Sequence, residues 1–184
     1  MTEKSTIEKL SEPLTSKDVQ IYCKKIFATE KGKYLGLFLI YKTSRVVIDR
    51  LNSVCGLRWK ERYFYDENKN LCCGLSIYDP EIKEWIERVG VGTPNDIEKE
   101  KSSYSDALKR ASTEFGIGTE LYKMPNIFVE LYESEVTESK KGSGKIPNPH
   151  TLNLKGWAVE YNIRDGKIVD LKITDETGII RWGK

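Results

Sequence analysis

Residues 95–118 read NDIEKEKSSYSDALKRASTEFGIG, and this stretch decides how the rest of the chain is arranged. Ile97, Tyr104, Leu108, Ala111 and Phe115 recur at spacings of seven, four, three and four, which places them on one face of a helix. Thr93 or Asn95 supplies a side-chain oxygen to cap the first turn. Asp96, Glu98 and Glu100 suit the positive end of the helix dipole, and Lys109 and Arg110 the negative end. Gly116 and Gly118 provide the stop. Burial of Tyr104, Leu108 and Phe115, at about 1.5–3 kcal/mol each, requires a large partner surface. Lys101 interrupts the stripe, two turns before Leu108 and on the same face.

The partner surface is expected just upstream. Three strand-like runs, Arg58–Tyr65, Leu71–Tyr78 and Ile82–Gly92, are separated by the turns DENKN and Asp79-Pro80. Such short turns imply an antiparallel meander, with Trp59 and Trp85 anchoring its buried face. Before it, SRVVIDRLNSVCG reads as a short helix capped by Thr43 or Ser44, with Val47, Leu51 and Val54 on one face and Gly56 at its end. Earlier still, a strand from Val19 to Phe27 and the run YLGLFLIY at 34–41 make a hairpin. The fold class is therefore α+β: a β-β-β-α core with an antiparallel curved sheet on one long helix, plus an N-terminal hairpin and short helix. The expected organisation is a flexible lead-in at 1–17, a core domain at 18–136, a Gly-, Ser- and Pro-bearing linker at 137–150, and a β-hairpin appendage at 151–184.

Composition narrows the function classes. The 184 residues carry a net charge of +2, with 32% charged and 39% hydrophobic residues. No apolar run approaches the roughly 18 residues needed to span a bilayer, and the polar N-terminus has no apolar signal core, so a cytoplasmic protein is expected. Cys23, Cys55, Cys72 and Cys73 form no CxxC, and His150 is the sole histidine, so no metal site is expected and the cysteines read as reduced, partly buried thiols. Charge is uneven: residues 20–70 carry a net of +6 and residues 71–140 a net of −6. That asymmetry reads either as two ordinary solvated faces or as a positive groove beside an acidic surface, suited to an anionic partner or head-to-tail subunit contact. The glycines of GVGTPND match neither phosphate-binding glycine pattern. Asp66, Glu81 and Lys83 resemble the spacing of Mg²⁺-dependent nucleases, in which two carboxylates hold the ion and a lysine orients water. Tyr63, Phe64, Tyr65 and Tyr78 are candidates for stacking on bases, although strand alternation sends half of them into a core.

Two blocks carry a resemblance. YSDALKRASTEFGIGTELY resembles the signature helix of the Rad-fifty-two family of single-strand annealing proteins, in its phage Sak-type branch, through Asp106, Ala107, Leu108, Lys109, Arg110 and Ala111, ending at Phe115-Gly116. SRVVIDRLNSVCGLRW resembles the family's helix-then-tryptophan segment through Arg45, Val46, Ile48, Leu51, Gly56 and Trp59. The two blocks fall in the family's order, and the likeness covers about residues 18–125. The resemblance implies a non-enzymatic homo-oligomer, ring or helical filament, that binds single-stranded DNA in a basic groove. It further implies annealing of complementary strands, with neither ATP nor another cofactor, in recombination and repair. It carries the groove contacts to Lys109, Arg110, Arg45 and Lys101. Eukaryotic members have a further basic residue where this chain has Thr113, so the resemblance implies either a groove that binds DNA more weakly or one that uses Lys60 or Arg62 instead. Asp66, Glu81 and Lys83 remain the nuclease alternative, and a non-catalytic oligomeric scaffold is the other.

Overall fold

The computed structural model describes residues 4–93, 99–139 and 144–183, with the side chains of residues 99–101 excepted. The fold is α+β, with three three-stranded sheets and one two-stranded ladder. In chain order the elements are α1 (Thr6–Leu10), β1 (Val19–Ala28), β2 (Tyr34–Lys42), α2 (Ser44–Cys55), β3 (Trp59–Tyr65), β4 (Leu71–Asp79), β5 (Glu84–Val91) and α3 (Lys99–Thr113). They continue with β6 (Ile127–Leu131), β7 (Val136–Glu138), β8 (Lys145–Pro147), β9 (Ala158–Arg164), β10 (Lys167–Thr174) and β11 (Ile180–Gly183). The chain forms two compact units, one of residues 1–14 and 42–119, the other of residues 15–41 and 120–184. This division departs from the expected one. The β1–β2 hairpin belongs with the C-terminal strands rather than with the meander, because its β2 pairs with β6.

The first unit is built on the meander. β4 is the central strand, antiparallel to β3 on one side and β5 on the other. Leu71, Cys73, Leu75 and Ile77 point to one face, and α3 packs there through Ala107, Leu108 and Ala111, all buried. Two glycines set the approach. A Cβ on Gly90 would lie 2.2 Å from the backbone nitrogen of Ala111, and one on Gly92 would lie 2.3 Å from the carbonyl oxygen of Ser103. The helix backbone thus rests directly on β5. The expected stripe holds at Leu108 and Ala111. Tyr104 instead lies at the margin, 40% exposed, with its ring edge-on to Tyr63 at 4.7 Å. Phe115 is buried just past the end of α3, in a turn where Gly116 and Gly118 have φ of +91° and +69°. The expected helix start at Asn95, with Asp96, Ile97 and Glu98, lies outside the described residues.

α2 follows its sequence reading closely. Thr43 Oγ1 accepts from the Val46 N–H, Gly56 takes a positive φ, and Val47, Leu51 and Cys55 are buried. Trp59 Nε1 donates to Asn52 Oδ1 at 2.9 Å, tying β3 to this helix. Trp85 does not share that role. Trp59 pairs with Ile77 while Trp85 pairs with Tyr78, so strand alternation sends the two indoles to opposite faces, and Trp85 is 45% exposed. The lead-in contains one short helix. α1 has a capping box between Ser5 and Glu8, Leu10 and Leu14 are buried, and Arg50 donates to the carbonyls of Lys9, Leu10 and Glu12.

The second unit contains the sheet β1-β2-β6 and the sheet β9-β10-β11. Phe38, fully buried, stacks on Trp157 at 5.4 Å. The expected β9–β10 hairpin forms around Asp165 and Gly166, both at positive φ. β11 extends it, and Arg181 on β11 lies between the rings of Tyr132 and Trp157 while pairing with Glu135 and Asp175. The stretch 137–150 is not wholly irregular. β7 and β8 pair across it, Thr137 opposite Ile146.

Candidate nucleic-acid interface

Lys109 and Arg110 sit in the last turns of α3, and both are drawn to one carboxylate. Asp106 Oδ2 accepts from Arg110 Nε at 2.9 Å, from Thr93 Oγ1 at 2.8 Å and from the Thr93 N–H at 3.1 Å. Lys109 Nζ is 3.8 Å from the other oxygen. Arg110 Nη2 also donates to Thr93 Oγ1 at 3.0 Å. Burial pushes the Asp106 carboxyl up, but the hydrogen bonds from Arg110 and Thr93 outweigh it and hold the group below the usual carboxylate range. Two cations therefore share one anion. The cluster keeps a net positive charge, and the half-exposed Arg110 side chain is fixed in direction. A guanidinium oriented this way and still open to solvent has donors left for a phosphate.

Arg45 is exposed in the first turn of α2, a helix that packs against α3. The unit thus brings Arg45, Lys109 and Arg110 onto two neighbouring helices. The Lys101 side chain lies outside the described residues. At position 113, where a further cation was the point of departure, Thr113 Oγ1 accepts from Lys42 Nζ at 2.8 Å. That ammonium is buried and also reaches the Ile117 carbonyl, so it serves packing at the end of α3.

Lys60 and Arg62 do not join this group. They alternate with Trp59, Glu61 and Tyr63 along β3, and so project from the sheet face opposite α3. Lys60 Nζ lies 4.2 Å above the Trp85 ring. Arg62 makes a two-pronged pair with Glu87, at 2.8 and 2.7 Å, across the bare backbone of Gly74. The Arg62 guanidinium holds the Glu87 carboxyl below its usual range. Together with Ser76 these side chains line a cleft of about 390 Å³. Arg62 also covers Phe64, and Tyr78 packs on Trp85, leaving Tyr65 the most open of the four aromatics singled out in the sequence.

The nuclease constellation does not assemble. Asp66 lies in the β3–β4 turn, where its carboxylate accepts from the Asn70 backbone and side chain. Glu81 and Lys83 lie in the β4–β5 turn, at the other end of β4. Nine residues of strand at about 3.3 Å each put the two turns roughly 30 Å apart. Among the described residues no group of three or more His, Cys, Asp or Glu is placed to hold a metal ion, and no helix is long and apolar enough to cross a membrane.

The Asp106–Thr93 clamp was not anticipated. Its signal was present in the (i, i+4) spacing of Asp106 and Arg110, a pair that stabilises helices. A second unanticipated feature is the aromatic outer face of the β1-β2-β6 sheet, legible in the alternation of Gln20, Tyr22 and Lys24 with Val19, Ile21 and Cys23. Comparison with known proteins finds no matching family model, no matching curated protein and no matching solved structure.

Proposed function

We propose that this chain binds single-stranded DNA as a homo-oligomer and promotes ATP-independent annealing of complementary strands. The reading comes from the resemblance of two sequence blocks to the Rad-fifty-two family. One observation supports it most: the two blocks occupy α2 and α3, helices that pack on each other beside a three-strand meander, with Arg45, Lys109 and Arg110 on them. Annealing needs no covalent step. Phosphate charge must be neutralised so that two like-charged strands can approach, and base edges must stay free to test pairing. Oriented cations on helices meet the first requirement without reading sequence.

With about four phosphate contacts per subunit, binding to single strands falls with a log–log salt slope near −3. The test is annealing of complementary oligonucleotides by Lys109→Ala/Arg110→Ala protein, with circular dichroism to verify the fold. Slower annealing and a salt slope shallower by about 1 or more are expected. Annealing at the wild-type rate overturns the assignment of these residues. A wild-type protein with no salt-sensitive DNA binding overturns the function and leaves the oligomeric scaffold.

A further inference from the structure

The outer face of the β1-β2-β6 sheet is unlike an ordinary solvated sheet face. Its inner face carries the core residues Ile21, Phe38, Ile127 and Val129. Outward, the central strand presents Leu35, Leu37, Leu39 and Tyr41, all half-buried. Four aromatic rings frame that row as two pairs. Tyr22 meets Tyr41 edge-on at 5.4 Å, and Tyr41 is steadied by donating its hydroxyl to Gln20 at 2.8 Å. Phe27 meets Phe128 at 6.4 Å, and Phe128 sits opposite Leu37 in the ladder. Tyr22, Phe27 and Phe128 are 41%, 37% and 41% exposed. Large rings in contact, yet open to water on a rigid sheet, form the kind of contiguous apolar surface that marks a binding site.

The charge on this face says what kind of partner fits. Among the three strands the sole carboxylate is Glu130, and Lys33 pairs with it at 2.7 Å. Lys24 and Lys25 make no ion pair with a described residue, and Lys25 Nζ lies 5.0 Å over the Phe27 ring. The face therefore offers flat π-surfaces beside cations with no anion to spare. A partner with flat π-faces and a regular anionic backbone matches both features, and single-stranded nucleic acid is that partner. Stacking holds a base by its ring face and leaves its pairing edge open, which is what annealing requires.

We propose that this sheet face is a base-stacking surface for single-stranded DNA, with Tyr22, Tyr41, Phe27 and Phe128 taking bases and Lys24 and Lys25 the adjoining phosphates. The proposal rests on the single-stranded DNA binding proposed above, and adds to it a contact made with bases rather than with phosphates.

The test uses the full chain, a fluorescein-labelled dT oligonucleotide, and an abasic oligonucleotide of equal length with the same phosphates and no bases. Tyr22→Leu/Phe128→Leu keeps apolar cover on the sheet and removes two rings. The wild type is expected to bind dT more tightly than the abasic probe. The variant is expected to lose roughly 5- to 150-fold on dT for each base left unstacked, with little change on the abasic probe and an unchanged salt slope. Tyr22→Phe/Phe128→Tyr is expected to restore dT binding. Lys109→Ala/Arg110→Ala weakens both probes alike. A leucine variant that keeps the wild-type preference for dT overturns the stacking surface and leaves the proposed annealing standing. If that variant also loses self-association in sedimentation, the face belongs to a second copy of the chain, and the proposal is likewise overturned. A wild type that binds neither probe overturns both proposals.

Discussion

Gly90→Ala is the substitution that most directly probes how α3 is held. Gly90 has no positive φ, so alanine meets no backbone strain and only space decides the outcome. The added Cβ would lie 2.2 Å from Ala111 N, 2.4 Å from the Ala107 carbonyl oxygen and 2.9 Å from the Arg110 carbonyl carbon. All three are helix backbone, with no flexible side chain to swing aside. Bringing the closest contact out to 3.0 Å moves the helix by about 0.8 Å. Overpacking of this kind costs about 1–3 kcal/mol, and for a chain of this length each kcal/mol lowers Tm by about 2–4 °C. A thermal melt followed by circular dichroism should therefore show a Tm about 2–12 °C below wild type. Gly74→Ala is the control. Its Cβ would meet the ends of Glu87 and Arg62, at 2.7 and 3.2 Å, and those side chains can turn away. A Gly90→Ala protein as stable as wild type, or less affected than Gly74→Ala, would refute the direct backbone contact. Because Lys109 and Arg110 ride on the displaced segment, the proposed annealing should weaken along with the melt.

Asp106→Asn removes a carboxylate whose folded pKa is depressed, so its stabilisation is present above the unfolded value near pH 4 and lost as pH falls through the folded value. The stability gap between wild type and Asp106→Asn should be widest at neutral pH and close below pH 4; a gap independent of pH over pH 2–7 would contradict the clamp. Arg181→Met leaves Glu135 and Asp175 buried without their cation. Breaking such a cluster costs about 3–5 kcal/mol, to be read from the urea midpoint, and a loss under about 1 kcal/mol would argue against it. Lys60→Ala/Arg62→Ala changes the face opposite α3, so the proposed annealing should stay within about twofold of wild type; a loss matching that of Lys109→Ala/Arg110→Ala would argue for a DNA strand on that face instead.

Local pattern carried much of the fold. The caps of α2 at Thr43 and Gly56 fell where short polar and glycine residues require them, and the meander followed from its turns. What escaped the sequence was mostly a matter of faces and distance along the chain. β4 is buried on both sides, so its pattern cannot say which face receives α3; Gly90 and Gly92 decide that, and with it the separation of Lys60 from Lys109, while the register of β3 and β5 on β4 separates Trp59 from Trp85. The pairing of β2 with β6 joins residues about 90 positions apart, beyond the reach of any local window. β11 is four residues long and has too few positions to show a period. At the candidate site, the residue types of Lys109 and Arg110 were legible, but their shared counterion needed Thr93 and Asp106 to be brought together.

The long-range pairing of β2 with β6 also has a consequence for synthesis. A ribosome adding about 5–20 residues per second takes roughly 5–18 s to travel from Tyr41 to Leu131. Through that interval the β1–β2 hairpin has neither its third strand nor Trp157 to stack on Phe38. The first unit has all its residues once Thr119 has emerged, while the hairpin waits with both apolar faces open. During those seconds the nascent chain offers an unpaired strand edge to chaperones and to neighbouring chains alike, and crowding of ribosomes on one message would be felt first at this hairpin.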